Sequence, residues 1–116
     1  MPHDPEKYLH DMLGSCRFLL DFTAGRTLEE YKSDRGFRSA VERELQIIGE
    51  ALLMLEKVAP DLARRISEHQ RIIHFRHVLV HGYDILNYDV IWNVIENKLS
   101  VLNREVETLL QELEEK

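Results

Sequence analysis

Apolar residues in this chain recur at three- and four-residue steps over most of its length, the period of one face of a helix. Leu9, Met12, Leu13, Cys16, Leu19 and Leu20 make the first stripe. Asp4 stands at an N-cap position with Pro5 behind it at the first helical position, and Gly25 punctuates the far end, so a helix is predicted over about residues 5–23. Thr27 then caps a short turn over 28–32, which Asp34-Arg35-Gly36 breaks. A second long helix is predicted over about 37–58 on the stripe Val41, Leu45, Ile48, Leu52 and Leu55, ended by Pro60. Gly49 interrupts that helix at a cost of up to about 1 kcal/mol against Ala, and close approach of another helix is the expected reason. A short helix over 61–68 and a longer one over 71–81, stopped by Gly82, come next. The last helix starts near Asn87 or Asp89 and runs almost to the end, with Ile91, Val94, Ile95, Leu102, Val106, Leu109 and Leu113 on its buried side. Four main amphipathic helices with short connections and one short extra helix imply an all-α fold, an antiparallel four- to five-helix up-down bundle.

The segment 71–81 does not suit a plain bundle. At about 100° per residue its apolar side chains (Ile72, Ile73, Phe75, Val78, Leu79, Val80) cover an arc of about 220°. One buried face needs little more than about 100°. The helix is therefore either central or part of a subunit interface. Arg76 falls inside the apolar arc, where a lone charge costs several kcal/mol, so it must be paired or open onto a cleft. Glu42, Glu44 and Glu50 of the preceding long helix are the candidate partners. A structural ion pair is one reading, and such a pair can also aim the guanidinium.

His74, His77 and His81 form a narrow polar stripe on the other side. They are open to three readings: a metal site built on the His77-x3-His81 spacing, a solvated face without a role, or a surface carrying an acid/base catalyst. No HExxH-type carboxylate accompanies the stripe and no cysteine helps, which weighs against the metal.

The 116 residues suit one domain, and 44% hydrophobic residues suffice for a core. Five Gly and three Pro are too few for a loop-rich or all-β fold. Cys16 stands alone, which rules out an intrachain disulfide and a cysteine zinc site, and on an apolar face it reads as a packed thiol rather than a reactive one. No run approaches the roughly 20 apolar residues of a membrane span. Met1-Pro2-His3-Asp4-Pro5 lacks the basic start and apolar stretch of a signal peptide, so a cytoplasmic protein away from membranes is expected. The net charge of −6 argues against general nucleic-acid binding. Residues 64–81 nonetheless hold Arg64, Arg65, Arg71, Arg76 and four histidines against one acid, Glu68, a local positive zone that a phosphate would meet.

Arg76-His77-Val78-Leu79-Val80-His81-Gly82-Tyr83 has the form Arg-x4-His-x-Tyr. It resembles the signature of the HEPN superfamily, specifically the HepT-like toxins of the HepT/MntA type. The stretch from Ala40 through Gly49-Glu50-Ala51 is similar to that family's second helix, and Val90-Ile91-Trp92 to its return segment. The resemblance spans nearly all of residues 1–116, as a single HEPN domain. His77 stands where the superfamily often has a polar amide.

The resemblance implies a metal-independent endoribonuclease without cofactor, the toxin of a type VII-like toxin–antitoxin pair. It implies a homodimer whose two motifs meet in one cleft, which agrees with the over-wide apolar arc. Arg76 and His81 would be catalytic, with His77 and Glu44 supporting. It further implies that Tyr83 receives AMP from a cognate, MntA-like nucleotidyltransferase antitoxin. Without the family, Tyr83 reads as a turn aromatic packed on a partner. A non-catalytic helical adaptor of a nucleotidyltransferase and a metal-binding bundle on His74, His77 and His81 are the competing readings.

Overall fold

The computed structural model describes residues 3–82 and 86–115. They form seven helices: α1 (Pro5–Phe22), α2 (Leu28–Ser33), α3 (Arg35–Val58), α4 (Pro60–Ala63), α5 (His69–His81), α6 (Tyr88–Asn97) and α7 (Leu99–Glu114). There is no strand among the described residues.

Helix starts follow local capping chemistry. Thr27 Oγ1 accepts the Glu30 amide at 3.2 Å, and Asn87 Oδ1 accepts the amides of Asp89 and Val90 at 3.0 and 3.2 Å. Asp4 occupies the N-cap position of α1 but makes no side-chain cap bond, so Pro5 sets that start by its fixed φ. Asp34-Arg35-Gly36 ends α2 as expected, but the break is the single extended residue Asp34 between Ser33 and Arg35. Asp34 accepts the Phe37 amide at 3.0 Å, which makes it the cap of α3 and places Gly36 in the first turn.

Two further expectations need correction. The piece expected over 61–68 is helical only across Pro60–Ala63, after which turns lead into α5. The long final helix is two, meeting at Lys98 with φ −110 and ψ −30. Its amide still donates to Val94 O and its carbonyl still accepts from Leu102, so the chain bends rather than breaks. No Gly or Pro marks the spot. The Lys98 ammonium reaches Glu68 at 3.2 Å, tying the bend to the turn before α5.

The core lies where α1 packs against both α3 and α7. Leu9, Met12, Cys16 and Leu19 of α1, Val41, Leu52 and Leu55 of α3, and Val106 of α7 are all fully buried. Each such aliphatic side chain is worth about 1.5–3 kcal/mol on transfer from water. A second, aromatic centre joins α2, α3 and α6. The Tyr31 ring, fully buried, lies 5.5 Å from the rings of both Trp92 and Tyr88, and its hydroxyl donates to Glu42 at 2.7 Å. Burial first, and then the Glu42 carboxylate, push the Tyr31 phenol above its ordinary range.

Helix α5 is different. Leu79 is its one buried residue, while Ile72, Ile73, Phe75, Val78 and Val80 stay half-exposed. Its principal neighbour is α3. Of the two readings of its wide apolar arc, a central position is therefore excluded, and an apolar helix remains at the edge of the domain. No helix of the described residues is long and apolar enough to cross a membrane.

Burial pushes the Cys16 thiol up to about 12. The folded protein should therefore resist thiol reagents at mildly alkaline pH and react with one equivalent only when unfolded. Rapid labelling of the native protein would contradict the packing of α1.

Candidate active site

Gly49 and Arg76 are in direct apposition. A Cβ built on Gly49 would lie 2.2 Å from Cβ and 2.7 Å from Cγ of Arg76, distances no real side chain tolerates. The expected close helix approach is thus real, and the partner is the arginine of the Arg-x4-His motif itself. Only glycine lets α5 settle this deeply on α3.

The next residue, Glu50, receives the head of that arginine. Arg76 Nη2 lies 3.6 Å from Glu50 Oε1, an ion pair longer than a hydrogen bond. Of the three candidate acids, Glu42 is engaged instead by Tyr31, and Glu50 rather than Glu44 meets the guanidinium. The Arg76 side chain retains 26% exposure. Its Nε is buried with no hydrogen-bond partner among the described residues, a state that typically costs about 1–3 kcal/mol. The cation is held at its stem, loosely paired at its head, and open to solvent in part.

His74, His77 and His81 are exposed and form the predicted stripe. The ring centroids of His77 and His81 are 4.7 Å apart, and those of His74 and His77 are 6.4 Å apart. Among the described residues no group of three or more His, Cys, Asp or Glu is placed to hold a metal ion. Five residues along one helix turn the chain through about 140°. Arg76 accordingly faces α3 while His81 faces outward, and a single chain does not bring the two together on one face. Tyr83 lies outside the described residues.

The positive zone expected over 64–81 is neutralised in the fold. Arg64 pairs with Asp61, Arg65 with Glu112 at 2.5 Å, Arg71 with Glu68 at 2.9 Å, and Arg76 with Glu50. Half of those acids come from α3 and α7, distant in sequence, which is why a local count misses them. Pairs of this exposed kind are weak and screened by salt, so an incoming phosphate can displace them.

The turn entering α5 is braced from α7. Ser67 donates its amide and its hydroxyl to the Glu105 carboxylate at 3.0 and 2.6 Å. Glu68 then adopts a left-handed φ of 57°, the single non-glycine residue to do so among those described, and its carboxylate meets both Lys98 and Arg71. Beyond the brace a groove of about 370 Å³ runs between α5 and the α6–α7 bend, lined by Leu45, Ile48, Ile72, Phe75, Val94 and Leu102. Sequence reasoning missed this brace, because nothing along the chain links residues 67–68 to 98 and 105.

A model of the family described as HepT-like, Ribonuclease HepT-like, matches residues 12–109. This chain belongs to the HepT-like ribonuclease family. A curated relative named "Putative RNase TTE0752", from Caldanaerobacter subterraneus subsp. tengcongensis, is 32% identical over 92% of this chain and 95% of its own length. "Putative RNase MJ0127" of Methanocaldococcus jannaschii is 29% identical over 96% of this chain and 91% of its own. "Probable ribonuclease HepT" of Thermococcus cleftensis is 26% identical over 94% and 98%. No solved structure gives a significant match. The resemblance drawn from the Arg-x4-His-x-Tyr stretch and the second helix is thereby borne out at the level of the family.

Lys98, the larger influence, and Arg71 hold the Glu68 carboxyl below its usual range. A depressed folded-state pKa gives stability that is present above the unfolded value and lost as pH falls through the folded one. Wild type should therefore exceed Glu68→Gln in Tm at about pH 6, with the gap closing towards about pH 2. A gap that persists unchanged at the acid end would contradict this reading of the brace.

Proposed function

We propose that this HepT-like chain is a toxin-type endoribonuclease that cuts RNA without a metal, at a cleft shared by two identical chains. The observation that carries this reading is the placement of Arg76 and His81. They sit on one edge helix whose apolar face is half-covered and whose two motif residues diverge. A second α5 laid against the first covers Ile73, Val80 and their neighbours. It also brings the arginine of one chain and the histidine of the other to a common opening.

RNA carries its own nucleophile. The 2′-hydroxyl oxygen attacks the adjacent phosphorus while one His81 imidazole takes its proton. The 5′-oxygen leaves with the P–O electron pair and is protonated by the other, imidazolium, His81. The products are a 2′,3′-cyclic phosphate and a 5′-hydroxyl. Proton transfer of this kind contributes typically about 10²–10⁴-fold. Arg76, always cationic and planar, donates to the equatorial oxygens as negative charge builds on them. His77, with its ring near that of His81, supports it. Glu50 takes the supporting place first expected of Glu44.

Tyr83 serves as the control point in this reading. AMP attached by a cognate nucleotidyltransferase antitoxin would add negative charge and bulk two residues from His81, repelling the RNA backbone. The adaptor reading has less support, since an adaptor gains nothing from an arginine stem pressed onto a glycine with its Nε unpartnered.

The purified chain should cleave RNA in EDTA, leave cyclic phosphate ends and spare DNA. Arg76→Ala and His81→Ala should each lose at least about 100-fold in kcat/KM with little change in Tm. Tyr83→Phe should stay active and escape silencing by the antitoxin. Intact RNA after incubation with correctly folded wild type would overturn the enzymatic reading, and a fully active His81→Ala would overturn the site.

A further inference from the structure

We infer that Gly49 and Glu50 are positioning residues for Arg76, the first fixing the depth of its stem and the second the direction of its head. The inference rests on the proposed function for its kinetic consequences and on the geometry alone for its physical content.

A mid-helix glycine weakens α3, and the three atoms nearest to a Cβ at that point would all belong to Arg76. The α3 side of the contact is therefore shaped to one residue of α5. The arginine stem is pressed against bare backbone, so its first carbons have no freedom to shift towards α3. The head is treated differently. Glu50 is 44% exposed and stands 3.6 Å from Nη2, close enough to orient a cation and too far for a tight hydrogen-bonded pair. A tight bidentate pair would consume the donors that a phosphate needs. A wholly unpaired head would swing through many rotamers, since a long arginine side chain has much rotational freedom to lose. The buried, unpartnered Nε fits a guanidinium whose position is imposed by packing rather than by its own hydrogen bonds.

Glu50 therefore acts on RNA in two opposed ways. Its negative charge beside the cleft repels the phosphodiester, and its aim on Arg76 serves the transition state. Glu50→Gln should lower kcat by about tenfold or more while also lowering KM, because the repulsion goes with the charge. Glu50→Asp, which keeps the charge on a shorter arm, should recover part of kcat and restore KM. A residue that served only folding would lower Tm and move neither parameter well below the melting range. Gly49→Ala must displace the arginine stem, and a misplacement of about 1 Å near the reacting group costs on the order of 100-fold.

The experiment combines steady-state kinetics with 15N NMR of the arginine side chains. In wild type the Arg76 Nε–H should be resolved and slow to exchange, and rotation of its Nη groups should be hindered. In Glu50→Gln the Nε–H should persist, held by the Gly49 contact, while the Nη groups average. Unchanged Nη signals in Glu50→Gln, or kcat and KM both at wild-type values, would overturn the inference. If wild type proves unable to cut RNA, the functional reading fails by itself. The NMR comparison still decides whether Gly49 and Glu50 fix the guanidinium.

Discussion

The contact between Gly49 and the stem of Arg76 is the constraint on which the rest of this structure depends. Helix α5 has one buried side chain, Leu79, with Ile72, Ile73 and Phe75 only partly buried against the core. What sets its depth is the absence of a Cβ on α3 at the point where the arginine crosses. That depth decides how far the guanidinium projects, which acid it meets, and how much of the apolar arc of α5 stays uncovered. The braces at the other end, Ser67 to Glu105 and Glu68 to Lys98, fix where α5 starts. The helix is thus pinned by a tight backbone contact in its middle and by polar ties at its entry, while its outer face stays free.

The core needs no such device. Fully buried aliphatic residues of α1, α3 and α7 make a conventional helical interior, and Tyr31 anchors the short α2 between α3 and α6. These parts supply a rigid frame. Helix α5, which carries the Arg-x4-His motif, is laid on its edge, where the arginine and the histidines face different directions. A frame of that kind suits a site completed by a second copy, since one chain presents a half-covered apolar helix beside a partly exposed cation.

Much of the fold was legible from periodicity and capping. The helix starts at Thr27 and Asn87, the stops near Gly25 and Gly82, and the buried stripes all follow from local pattern. The meaning of Gly49 was legible too, because a glycine in a strong helical stripe has few other reasons to be there. What could not be read are effects that need distance in sequence. The bend at Lys98 has no breaker residue, and its tie to Glu68 forms only in three dimensions. The positive zone over 64–81 dissolved for the same reason, as acids from α3 and α7 closed on Arg76 and Arg65. Among three acids, Glu50 emerged over Glu42 and Glu44 because it directly follows the glycine that admits the arginine.

The central claim is that Arg76 and His81 act on one phosphodiester from two chains, and subunit mixing tests it most directly. Arg76→Ala and His81→Ala proteins, each expected to be inactive on its own, are unfolded together, refolded and assayed on RNA, with the mixed dimer confirmed by mass. A shared cleft predicts cleavage above that of either parent and below wild type, because the opening of the mixed dimer holds one arginine and one of its two imidazoles, whereas each parent lacks one kind of group altogether. A mixed dimer that forms but cuts no RNA would contradict it.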